Sequence, residues 1–144
     1  MKNRKILYVS SEVVPYLPES EISSMSFEIP KMVNKQGGQI RIFMPRYGNI
    51  NERRHQLHEV IRLSGLNLVI NDLDMPLIIK VASIPKERIQ VYFIDNEEYF
   101  KRKATFTDSN GKLFEDNDER AIFFAKGVFC LLYTSPSPRD LAVS

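Results

Sequence analysis

Hydrophobic positions along the chain change rhythm more than once. Ile6-Leu7-Tyr8-Val9 is a short continuous apolar run with β-branched and aromatic content, the pattern of a strand covered on both faces. Ser10-Ser11-Glu12 ends it, and a loop carrying Pro15 and Pro18 follows. Ser20 or Ser23 then caps a helix predicted to reach about Gln36, with Ile22, Met25, Ile29, Met32 and Val33 at helical spacing along one apolar stripe. Pro30 lies inside that pattern and predicts a kink, and Gly37-Gly38 predicts the stop. Ile40 to Met44 is a second apolar run, closed by Pro45 and Gly48. Strand, helix and strand in this succession make a βαβ unit, whose right-handed crossover sets the two strands parallel.

The middle third is different. Val60–Leu63, Leu66–Ile70, Leu77–Val81 and Ile89–Ile94 all have strand character, separated in places by Asn71-Asp72-Leu73-Asp74 and Pro85-Lys86-Glu87-Arg88. Such short spacings predict antiparallel hairpins inserted before the main sheet resumes at Ile89–Ile94. A short helix from Glu97 to about Lys103 and a polar loop from Thr105 to Glu115 come next. Asp116 with Glu119 three residues on opens a further helix, a relative of the capping box. From Ala121 that helix is apolar on several faces, which predicts burial by more protein than the chain supplies. Thr134 to Asp140, with Pro136 and Pro138, breaks the pattern.

Composition narrows the function classes. The 144 residues carry 20 Lys+Arg against 18 Asp+Glu, a net charge of +2 spread along the chain; a nucleic-acid binder working through a concentrated positive face is excluded. The single Cys130 precludes an internal disulfide, and the two histidines with it are too few for a zinc framework. His55 and His58 lack an evident third ligand, so no metal is expected. No apolar run reaches the ~20 residues of a membrane span, and the start runs straight into a strand without an apolar leader, which predicts a cytoplasmic chain.

Four blocks together carry a resemblance. Lys5–Glu12 with Pro15 and a helix holding Pro30, Met44-Pro45-Arg46-Tyr47-Gly48, Val91–Phe100, and Asp116-Asn117 with Arg120 and Phe123-Phe124 resemble the amino-terminal end of the bacterial glycogen synthase and starch synthase family. The wording of the second and fourth blocks looks closest to the version in Bacteroides-like bacteria. The resemblance implies an α/β fold: a Rossmann-like parallel sheet with an inserted antiparallel hairpin region, forming part of the amino-terminal half of a two-domain (GT-B type) glycosyltransferase. It implies transfer of glucose from a nucleotide sugar, usually ADP-glucose, to an α-1,4-glucan, with those two molecules as partners of the parent and with no cofactor, metal, nucleic acid or membrane. Residues 1–129 are expected to be the partial domain and 130–144 a non-native tail, since Leu131–Asp140 looks like translated sequencing-adapter read-through.

Ligands of open α/β sheets bind beyond the carboxyl ends of the strands. Ser10, Ser11 and Glu12, then Arg46, Tyr47 and Gly48, then Asp95 and Asn96 fall at such ends, and Tyr99 and Phe100 follow closely. Candidate substrate contacts are therefore Ser11, Glu12, Arg46, Tyr47, Asp95, Asn96 and Tyr99, with Arg46 preferred because a guanidinium matches phosphate geometry. Each also has a plainer role: Ser10–Glu12 as a chain turn, Arg46 as a solvated charge, Tyr99 and Phe100 as packing, Asp116 as a helix cap. No residue is assigned to the chemical step. In the resembling family the loop after the first strand carries Lys-x-Gly-Gly-Leu, which contacts the donor. The aligned stretch here reads Pro18-Glu19-Ser20-Glu21-Ile22, and Glu21 would set a negative charge beside a diphosphate. Two functions follow: the amino-terminal piece of a glucosyltransferase, inactive by itself because one wall of a cleft makes no active site, or a non-catalytic glucan- or protein-binding module that has lost the donor site.

Overall fold

The computed structural model describes residues 4–102 and 104–134; of the expected tail 130–144, the part from 135 onward lies outside them, while 130–134 continue the last helix and Leu131 is buried in the core. The chain order is β1 (Lys5–Val9), α1 (Glu21–Lys35), β2 (Gln39–Pro45), β3 (His58–Glu59), a 3₁₀ turn (Ile61–Leu63), β4 (Asn67–Ile70), β5 (Leu73–Pro76), β6 (Ile78–Ile84), β7 (Ile89–Asp95), α2 (Glu97–Phe100) and α3 (Asn117–Thr134). Five strands form one sheet in the order β1-β2-β7-β6-β3, and β4 and β5 form a separate ribbon.

The central prediction of the hydrophobic pattern holds. β1 pairs parallel with β2 and β2 parallel with β7, in the registers Ile6↔Ile40 and Ile42↔Val91. Strands β2 and β7 sit in the middle, and Ile42, Phe43, Met44, Val91, Tyr92, Phe93 and Ile94 are all fully buried, which is why both read as unbroken apolar runs. Strand β6 returns antiparallel on β7, turning through Pro85–Arg88, where Lys86 and Arg88 adopt positive φ. In the β4–β5 hairpin, Asn71 and Asp72 both have positive φ, as a two-residue type I′ turn requires. The hairpin region is thus present, with Leu73–Pro76 forming a strand where the sequence suggested only turn.

Three local expectations are corrected. Val60–Leu63 is no strand; Ile61–Leu63 makes a single 3₁₀ turn whose Ser64 donates to the Val60 carbonyl at 2.9 Å and accepts from Ile79 N–H at 3.0 Å. Asp116 does not cap α3 with its side chain, which is held by both terminal nitrogens of Arg102 at 2.6 Å each. The third concerns α1, whose large apolar side chains face outward: Ile22, Met25 and Met32 are more than half exposed, and Ser23, Ser26, Pro30 and Val33 form the buried side. Small residues let the helix lie close to the sheet, where Ser10 and Ser26 hydroxyls meet at 2.7 Å. Gly37, at φ +86°, ends α1 as the sequence suggests.

Helix α3 crosses the opposite part of the molecule, touching β2, β4 and β7. Gly127 permits its close approach, since a Cβ there would meet Ile94 Cγ2 at 2.7 Å. Helix α3 leaves Ile122, Phe129 and Leu132 exposed, in keeping with the excess of apolar positions along it. Strand β1 corrects a further expectation: it is an edge strand with no fully buried residue, and Leu7 and Val9 are exposed, so it is not covered on both faces.

Candidate functional site

The carboxyl ends of β1, β2 and β7 lie at one end of the sheet, and every candidate contact lies at or just beyond them: Ser11, Glu12, Arg46, Tyr47 and Asn96 past the strands, Asp95 as the last residue of β7 and Tyr99 in α2. Backbone bonds extend the sheet one residue past the strands: Ser10 N–H donates to the Phe43 carbonyl at 3.0 Å and Arg46 N–H to that of Ile94 at 2.9 Å. Beyond this point two charged clusters separate.

The first is closed. Arg46 Nε lies 3.2 Å from Glu52 and 3.3 Å from Asp95, and Lys80 Nζ lies 2.9 Å from each of the same two carboxylates. Two cations and two anions alternate around a ring. Asp95 is 1% exposed, so ionisation there demands these partners. Burial pulls Lys80 downward, but the hydrogen bonds to Glu52 and Asp95 outweigh it and hold the ammonium above its ordinary value. Arg46, the preferred phosphate contact, therefore spends its charge inside the protein. Asn96 is likewise engaged internally: its Oδ1 accepts from Glu98 and Tyr99 N–H as the cap of α2, and its Nδ2 donates to the Pro76 carbonyl at 2.9 Å. Tyr99 is buried against Phe100 and Phe123, with burial first and Glu119 second raising its phenol pKa. Packing is the role its position supports.

The second cluster is open. Ser11 and Tyr47 line a cavity of about 190 Å³ together with Pro45, Phe100, Phe106, Asn117, Arg120, Ala121 and Phe124. Tyr47 is buried, and burial pushes its phenol up to about 12, against the field of Arg120 and with that of Glu12. Glu12 is placed close enough to act on Tyr47, so Ser11, Glu12 and Tyr47 form one neighbourhood, as the strand-end argument proposed. Arg120, which the sequence marks only as part of a block shared with the resembling family, belongs to it too. It donates from Nε to the Tyr99 carbonyl at 2.9 Å and from Nη1 to the Thr105 carbonyl at 2.7 Å and to Asn117 Oδ1 at 2.8 Å, and its guanidinium stacks over Tyr47, Phe100 and Phe114. A local sequence signal for this was lacking, because the aromatic partners lie 6 to 73 positions away in the chain.

The amino end of α1 has its own chemistry. Ser20 Oγ accepts from Ser23 N–H at 3.0 Å, and Ser23 Oγ accepts from Ser20 N–H at 2.7 Å while donating to the Pro18 carbonyl at 3.0 Å. A reciprocal capping box fills donors that an anion at a helix start would use, and Glu21 adds a negative charge in the first turn. Among the described residues no group of three His, Cys, Asp or Glu is placed to hold a metal ion, and no helix is long and apolar enough to cross a membrane.

Comparison with known proteins gives a consistent picture. A sequence profile described as the starch synthase catalytic domain matches residues 5–140. Glycogen synthase of Chlorobium limicola is 42% identical over 128 residues, and that of Chlorobaculum tepidum 41% over 128 residues. In both cases the match takes in 88% of this chain and 26% of the relative. The structure also resembles the catalytic domain of starch synthase IV from Arabidopsis thaliana bound to ADP and acarbose, with a TM-score of 0.76 at 16% identity over 95% of this chain and 26% of that one. The chain thus spans about a quarter of the length of the relatives it matches.

Proposed function

The chain belongs to the family of starch synthase catalytic domains, and from that footing we propose that it forms the first wall of a glucosyltransferase cleft. The parent moves glucose from a nucleotide sugar, ADP-glucose, onto the end of an α-1,4-glucan in the cytoplasm. One observation carries this: about 40% identity to glycogen synthases across 88% of the chain. Residues 1–129 are the partial domain, and Ser11, Glu12 and Tyr47 are the candidate contacts that stay available at its sheet end. Arg46, Asp95, Asn96 and Tyr99 set the shape of that wall through internal bonds. A single wall positions no donor against an acceptor, so the 144-residue chain alone is inactive.

The test is a chimera in which residues 1–129 replace the matching first quarter of the Chlorobium limicola glycogen synthase. Incorporation of labelled glucose from ADP-glucose into glycogen is the expected result. A second reading has an observation of its own: the capping box and Glu21 close the start of α1 to a diphosphate. On that reading the parent binds glucan without turnover, and a folded chimera that retains glycogen on affinity electrophoresis but incorporates no glucose supports it.

A further inference from the structure

The neighbourhood of Arg120 supplies nearly every kind of partner a buried cation uses, except an anion. The residue is 4% exposed. Three acceptors take its Nε and Nη1 hydrogens, three aromatic faces surround the guanidinium, and Nη2 is buried without a hydrogen-bond partner among the described residues. Among the described residues no carboxylate stands within ion-pair distance of it. Asp116, whose field reaches Arg120, is held by Arg102, and Glu12 acts on Tyr47.

The cavity of about 190 Å³ that Arg120 lines has a wall that is mostly carbon, with Ser11 and Tyr47 as its hydroxyl-bearing residues. That inventory selects a ligand. A buried cation is stable when paired and hydrogen-bonded. A hexose would bring several hydroxyls to a wall with few polar groups, and a phosphate would set four oxygens against the same mostly carbon wall. A carboxylate accepts from Nη2, leaves its second oxygen for Ser11, and lays a carbon body against Tyr47, Phe100, Phe106 and Phe124. The size agrees, since an apolar cavity of about 150 Å³ admits a benzene ring.

We propose that this cavity is a site for a carboxylate carried on a small apolar body. It does not depend on the transferase reading. The carboxylate has two sources with the same chemistry: a free small acid, or an acidic side chain from the part of a longer parent that lies beyond the matched region.

Equilibrium dialysis of the 144-residue chain against labelled benzoate, with neutral benzamide as comparison, tests it. Saturable binding to one site in the millimolar range is expected, at least about tenfold stronger than for benzamide. Arg120→Met removes the charge, and Ala121→Leu fills the cavity while leaving the bonds of Arg120 in place; both are expected to abolish uptake. The same dialysis on the glycogen synthase chimera separates the sources: retained binding assigns a free acid, and binding lost there but present in the short chain assigns an internal carboxylate. Absence of saturable binding to the short chain, equal affinity for benzamide, or indifference to Ala121→Leu overturns the proposal.

Discussion

Two arginines flank the same end of the sheet in opposite electrostatic settings. Arg46 shares Glu52 and Asp95 with Lys80 in a closed ring of four charges. Arg120 is more deeply buried, meets carbonyls and rings instead of carboxylates, and has no carboxylate within ion-pair distance among the described residues. Position at a strand end does not make a guanidinium available. Availability depends on the counter-ions that the rest of the fold delivers, and those come from elsewhere in the sequence.

The largest expected effect tests the closed ring. Asp95→Ala leaves Arg46 and Lys80 sharing one carboxylate in a buried place, and a loss of about 3–5 kcal/mol in urea unfolding is expected. A loss under about 1 kcal/mol would mean that the ring is solvated and Arg46 is free after all. Next comes the open side. Arg120→Met strands the Tyr99 and Thr105 carbonyls, with an expected loss of about 2–4 kcal/mol. Arg120→Lys should recover little of it, because an ammonium cannot reproduce the fork of three bonds and stacking; full rescue would contradict the geometry.

A pH experiment sharpens the same contrast. The Arg102 hydrogen bonds hold the Asp116 carboxyl below its ordinary value of 3.8, so its contribution to stability is complete above that value and is lost as pH falls through the depressed one. Acid should therefore speed hydrogen exchange in the segment 105–116 before it affects the centre of β2. Lys80 has the opposite sign. Its ammonium is held above 10.5, so the ring keeps that contribution at neutral pH and loses it only in alkali. Loosening of β2 and of 105–116 at one common acid midpoint would remove the distinction. The smallest effects belong to the outward stripe of α1. Ile22→Gln and Met25→Gln should each change stability by no more than about 0.5 kcal/mol, while raising the concentration at which the chain stays monomeric in sedimentation.

What was legible in the sequence follows from these physical differences. Central β2 and β7 were legible because burial on both faces leaves unbroken apolar runs, edge strand β1 because its short β-branched and aromatic run is apolar although half of it is exposed, and the hairpins because Asn71-Asp72 and Pro85 mark turns. The inward face of α1 was not, because close packing uses Ser23 and Ser26, which hydrophobic periodicity does not count. Asp116 looked like a cap because the local pattern fits one; the competitor, Arg102, lies across a loop. Ser11, Glu12 and Tyr47 gathered where strand ends predict them. Arg120 did not announce itself, since helical spacing alone makes it one more surface charge, and its aromatic box assembles only in three dimensions.

Whether this chain forms one wall of a glucosyltransferase is decided by glucose transfer in the Chlorobium limicola chimera, measured with and without Pro18→Lys, Ser20→Gly and Glu21→Gly. Incorporation of labelled glucose by the unaltered chimera is expected, with the triple substitution lowering the KM for ADP-glucose as the start of α1 opens. A folded chimera that binds glycogen yet transfers no glucose, with or without those three changes, would contradict that role.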